Sequence, residues 1–153
     1  MTMADRLLLV GNGFLLAVLW FDLMFDVQVL RHRGAPTLPE PVLDSISRYY
    51  RRVTTDASPM GRLVAVAMVV FVGSAIAQAA RDGTPSWVSV TTFVGAALGP
   101  GLAVGRVFGN ARRLGRRDDD LATQTALARH ICSDHLVCLA AMTAVLIVQL
   151  AAI

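Results

Sequence analysis

Two aspartates four residues apart, Asp22 and Asp26 in the run Trp20-Phe21-Asp22-Leu23-Met24-Phe25-Asp26, put a pair of carboxylates on one face of an apolar helix. At membrane depth an unpaired carboxylate costs several kcal/mol, so each is expected to face inward and meet a partner. A second polar stripe, His130, Asp134 and Cys138, recurs every four residues near the start of the last apolar segment. His135 lies about 100° away from Asp134 around that helix. A third stripe, Arg106, Asn110 and Arg113, closes the other long apolar stretch.

Three chemistries fit these residue types. Asp22, Asp26, His130 and Asp134 supply hard oxygen and imidazole ligands from facing helices, as carboxylate metal sites in bundles do. The Glu-x-x-His pairs of such sites are missing, however, because the only glutamate is Glu40. A metal-free pocket is the second chemistry. There His135 or His130, beside Asp134, acts as general base on a hydrophobic ligand, with Asn110, Arg106, Asp22 and Asp26 as further polar contacts. The third is structural, with Asp22 and Asp26 neutralising Arg62, Arg106 or Arg129. None of the three specifies a cofactor.

The elements that must position these groups follow from composition. The chain has 153 residues, of which 55% are apolar, and a mean hydropathy of +0.57. That suits one membrane domain, 1–153, better than a soluble one. Apolar stretches run over about 7–30, 59–80, 87–108 and 121–153. Each is near the roughly 20 residues needed to cross hydrocarbon, and lipid admits helices rather than open strands. The expected fold is an all-α integral membrane four-helix bundle. Antiparallel order gathers Asp22, Asp26, Asp56, Arg106, Asn110, His130, Asp134 and His135 at one end.

Every base is arginine, and their placement sets the orientation. Arg31, Arg33, Arg48, Arg51 and Arg52 occupy the first connection, and Arg112, Arg113, Arg116 and Arg117 the third. The opposite end offers little beyond Arg6 and Arg81. The positive-inside rule makes the arginine-rich loops cytoplasmic and both termini external, in a bacterial inner membrane. These arginines serve topology and lipid phosphate, and no nucleic acid is expected as a partner.

Within the first connection, Val42, Leu43, Ile46, Tyr49, Tyr50 and Val53 predict an amphipathic helix on the cytoplasmic interface, tyrosines at headgroup depth, roofing the polar cluster. Ser58-Pro59 signals the second span, and Asp82-Gly83-Thr84-Pro85 a tight outer turn. Gly95, Gly99, Gly101, Gly105 and Gly109 around Pro100 predict close helix packing and a kink, within the chain or in a homo-oligomer or membrane complex. Asp118-Asp119-Asp120 offers the N-cap of a last helix about 30 residues long. Cys132 and Cys138 cannot bridge each other on one helix and serve as small apolar filler.

The stretch Gly105-Arg106-Val107-Phe108-Gly109-Asn110-Ala111-Arg112-Arg113-Leu114, followed by an acidic loop and Asp134-His135-Leu136-Val137, resembles the anthrone-oxygenase-like family of small bacterial four-helix membrane proteins. The resemblance covers about the last third of the chain. It implies a four-helix membrane fold, Asn110 and His135 as matching site positions, and an oxygenase-like activity. Asp22 and Asp26 are not part of that pattern, and Gly109 stands where the family has proline. The expected function is binding of a hydrophobic ligand or substrate in a polar pocket at the arginine-rich end. The alternative is a structural subunit that packs through the glycine-rich third helix.

Overall fold

The computed structural model describes residues 2–81 and 83–152, apart from the side chain of Ser58. The fold is all-α, with no strand among the described residues. Helix α1 spans Met3–Asp26 and runs on through a tighter 3-10 segment, Val27–His32; α2 is Glu40–Arg51, and α3 is Ser58–Ala79. Helices α4, Ser86–Leu102, and α5, Phe108–Arg116, are joined by a π-helical turn, Ala103–Val107, into one long rod. Helix α6 is Leu121–Ala151. Four of these helical units are long and apolar enough to cross a membrane.

The ends follow local chemistry. Thr2 and Asp5 cap the start of α1 reciprocally, so that helix begins earlier than the apolar pattern alone predicts. Pro59 sits in the first turn of α3, where its missing N–H costs nothing. Asp82, one residue of the expected outer turn, lies outside the described residues, as does Ile153 at the end of the last apolar stretch. Gly83 in that turn takes φ +86°, a left-handed backbone that glycine adopts without penalty. Pro100 cannot donate to the preceding turn of α4, and the π-helical turn follows three residues later.

Asp120 caps α6 by accepting from the Thr123 backbone N–H at 2.8 Å. That bond holds the Asp120 carboxyl below its usual range, aided by the Thr123 hydroxyl. A depressed folded pKa adds stability above the unfolded value of about 3.9 and loses it as pH falls through the folded pKa. Asp120→Asn keeps a neutral cap but cannot titrate. The stability gap between wild type and Asp120→Asn is therefore expected to be constant near neutrality and to close on acidification, as read by thermal unfolding in detergent at stepped pH.

In the bundle α1 packs against α3 and α6, and α4 packs against α6 and α3, while α2 lies across the arginine-rich end against α5. Two apolar clusters result. Leu8, Leu15, Phe71, Ala96, Met142 and Val145 belong to the one that holds the four long helices together. Leu43, Ile46, Tyr50, Leu114, Leu127 and Ile131 belong to the other, which seals α2 onto the bundle end. Glycines set the closest approaches. A Cβ on Gly95 would lie 2.2 Å from a Val145 methyl, and one on Gly99 would lie 3.0 Å from the Met142 sulfur. Gly101, Gly105 and Gly109 would meet nothing within 4 Å. The glycine series thus divides between packing onto α6 and an open outer surface.

The arginine-poor end is also polar. Gln78 and Gln149 exchange amide hydrogen bonds of 3.0 and 2.8 Å, Gln149 donates to Thr92 at 2.7 Å, and Gln78 donates to Asp5 at 3.0 Å. Arg81 completes the network with a 2.9 Å bond to Asp5. Neutral amides carry no charge signal, yet they tie α1, α3, α4 and α6 together where apolar packing ends.

Candidate functional site

Asp22 and Asp26 stand one helical turn apart near the end of α1, and α2 crosses that end. Adjacent residues on a helix diverge by about 100°, so Tyr49 and Tyr50 reach different carboxylates. Tyr49 donates its phenol to Asp22 Oδ1 at 2.6 Å, and Tyr50 donates to Asp26 Oδ1 and Oδ2 at 2.7 and 2.8 Å. Phe25 stacks on Tyr49 with ring centroids 4.1 Å apart, fixing that ring against α1. Burial, reinforced by the adjacent carboxylates, pushes both phenol pKa values upward. Both hydroxyls therefore stay protonated and keep donating.

The third member comes from α6. His135 Nδ1 lies 2.6 Å from Asp26 Oδ2, and Asp26 is fully buried. A carboxylate accepts, so Nδ1 carries the hydrogen, and in the neutral ring Nε2 holds the free lone pair. Nε2 lies 3.8 Å from Asp22 Oδ2, beyond hydrogen-bond reach. The imidazole thus stands between two carboxylates, bonded to one and facing the other.

This group closes one end of an apolar cavity of about 380 Å³. Its walls come from all four long helices and include Leu15, Val64, Met68, Val107, Phe108 and Met142. Asp22, Tyr49, Tyr50 and His135 also line it, whereas Asp26 lies behind His135 and does not. A largely apolar cavity with a few convergent polar groups is the usual form of a small-molecule site. The chemistry available at its polar end is proton acceptance or return at His135 Nε2, with Asp26 orienting the ring and stabilising its protonated form.

The other residues expected at this site lie apart from it. His130 is exposed: five positions before His135, it is turned about 140° around α6. Asp134 points to Arg106 in the π-helical turn, at 3.2 Å, and its Oδ2 is buried without a hydrogen-bond partner among the described residues. Asn110 is half-buried and does not line the cavity. Asp56 is exposed, 3.8 Å from Arg51.

The metal set Asp22, Asp26, His130 and Asp134 is accordingly not assembled. Among the described residues no group of three or more His, Cys, Asp or Glu side chains has an arrangement able to hold a metal ion. The expected arginine partners of Asp22 and Asp26 also go elsewhere. Arg129 donates to the backbone carbonyls of His32 and Ala35, Arg106 takes Asp134, and Arg62 is exposed. Tyrosine and histidine satisfy the carboxylates instead.

Tyr49 and Tyr50 are what sequence reasoning assigned elsewhere, as headgroup-level residues. The signal was present: Leu43, Ile46 and Tyr50 share one face of α2, and a tyrosine on the buried face of a roofing helix needs a partner beneath it. No protein-family model, curated protein or solved structure matches this chain. Fold and site define a four-helix bundle of membrane-spanning character with a carboxylate-flanked histidine at the end of an apolar cavity.

Proposed function

We propose that this protein binds a hydrophobic small molecule from the bilayer in the apolar cavity and exchanges a proton with it at His135. The observation that carries this reading is the 2.6 Å bond from His135 Nδ1 to buried Asp26, on a histidine that lines a cavity of about 380 Å³. His135 is the acid–base group, Asp26 orients it, and Asp22 contacts the bound molecule. Tyr49 and Tyr50 hold the two carboxylates in place.

The remaining parts of the reading rest on sequence. The arginine-rich loops face the cytoplasm of a bacterial inner membrane, with both termini outside. Of the two positions matched by the anthrone-oxygenase resemblance, His135 borders the cavity and Asn110 does not, which favours proton transfer over an oxygenase-like role shared by both.

N-Phenyl-1-naphthylamine, a neutral lipophilic fluorophore, tests the binding. Its fluorescence should rise saturably on purified protein above the micelle background. Ala103→Phe, which adds a ring to the cavity wall, should weaken that binding at least about tenfold, equivalent to roughly 1.4 kcal/mol. Binding that is absent, or indifferent to Ala103→Phe, would overturn the reading.

A further inference from the structure

The polar end of the cavity is selective in a way that a merely hydrophobic site is not. Asp22, Tyr49, Tyr50, Thr54 and His135 form it, and the hydrogens of the four donors are committed. The Tyr49 hydroxyl proton goes to Asp22 and that of Tyr50 to Asp26. The Nδ1 hydrogen of His135 also goes to Asp26. Thr54, the remaining hydroxyl on the wall, donates to the Tyr50 carbonyl at 2.7 Å. No arginine lines the cavity.

What remains are two acceptors without partners, Asp22 Oδ2 and His135 Nε2, 3.8 Å apart on side chains that are 15% and 6% exposed. One donor atom can lie at an ordinary hydrogen-bond distance of about 2.8–3.0 Å from both. That gap accepts a ligand's N–H or O–H group and offers nothing to an anion.

Charge narrows the choice further. Asp22 is bonded to a neutral phenol, and no arginine among the described residues lies within salt-bridge distance of it. A carboxylate at membrane depth calls for a positive partner. The aromatic side chains of Phe21, Tyr49, Tyr50 and Phe108 line the same cavity, and aromatic rings attract cations. Resting on the binding role proposed above, we infer that the site takes a lipophilic amine in its protonated form. Its ammonium bridges Asp22 Oδ2 and His135 Nε2, and its apolar body lies among Leu15, Val64, Met68 and Met142.

Displacement of N-phenyl-1-naphthylamine by three chains of equal length separates the terms. Dodecylamine should displace it at least tenfold more effectively than dodecanol, and dodecanoate should be weakest. Asp22→Asn should erase the amine's advantage over dodecanol. Equal displacement by amine and alcohol, strongest displacement by dodecanoate, or an amine preference that survives Asp22→Asn would each overturn the inference while leaving the binding role intact. Failure of the fluorophore itself to bind the cavity would remove both.

Discussion

Replacing His135 by alanine is expected to cost about 3–5 kcal/mol of stability, the magnitude found when a buried charge loses its partner. Asp26 has no solvent contact and takes its hydrogen bonds from two groups, the Tyr50 phenol and His135 Nδ1. Without the imidazole, a fully buried carboxylate keeps a single neutral donor and gains an enlarged cavity beside it. The penalty comes from desolvation rather than from the strength of the lost bond.

Two further variants isolate that cause. His135→Asn places an amide N–H toward Asp26 and should recover much of the loss. The double variant Asp26→Leu, His135→Leu removes the carboxylate together with its imidazole partner and should be far more stable than the two single effects added together. Reversible unfolding in detergent measures all of them. If His135→Ala costs less than about 1 kcal/mol, or if the double variant is simply additive, Asp26 is not the buried partner described here.

The second large effect is expected at a residue that touches neither the cavity nor the carboxylates. A Cβ on Gly115 would stand 2.8 Å from the Arg51 backbone nitrogen, 3.0 Å from the Arg51 Cα and 3.3 Å from the Tyr50 carbonyl carbon. These are backbone atoms, so no rotamer change can relieve the contact, and α2 must move away from α5. The end of α2 that moves carries Tyr49 and Tyr50, whose bonds of 2.6 to 2.8 Å secure both carboxylates.

Gly115→Ala is therefore expected to cost about 1–3 kcal/mol, as overpacking does, and to weaken fluorophore binding to the cavity as well. Gly109→Ala is the matched control, because its Cβ would meet nothing within 4 Å. Exchanging glycine for alanine in an exposed helix should leave stability unchanged or raise it by up to about 1 kcal/mol. Thermal unfolding and fluorophore titration of the pair decide the matter. Equal behaviour of the two variants would show that the α2–α5 contact does not position the tyrosines.

The amino-acid sequence by itself determined the all-α architecture, because four apolar stretches of spanning length leave helices as the form that satisfies their own backbones. It also determined that Asp22 and Asp26 share a face and need partners, since that follows from a spacing of four and the cost of a buried charge. The roofing helix was legible too, from the periodicity of Val42 to Val53. The partners were not legible. Arginine, the residue that charge alone would select for Asp22 and Asp26, pairs with Asp134 or with backbone carbonyls instead.

Which residues meet depends on how α2 crosses α1 and on the rotation of α6, and both are set by packing between segments distant in the chain. Gly115 lets α2 sit close enough for two tyrosines to reach two carboxylates. The rotation of α6 turns His135 inward and leaves His130 outside, though both histidines carry the same chemistry in the sequence. Local spacing specifies one helix face at a time; only tertiary packing decides which face it meets.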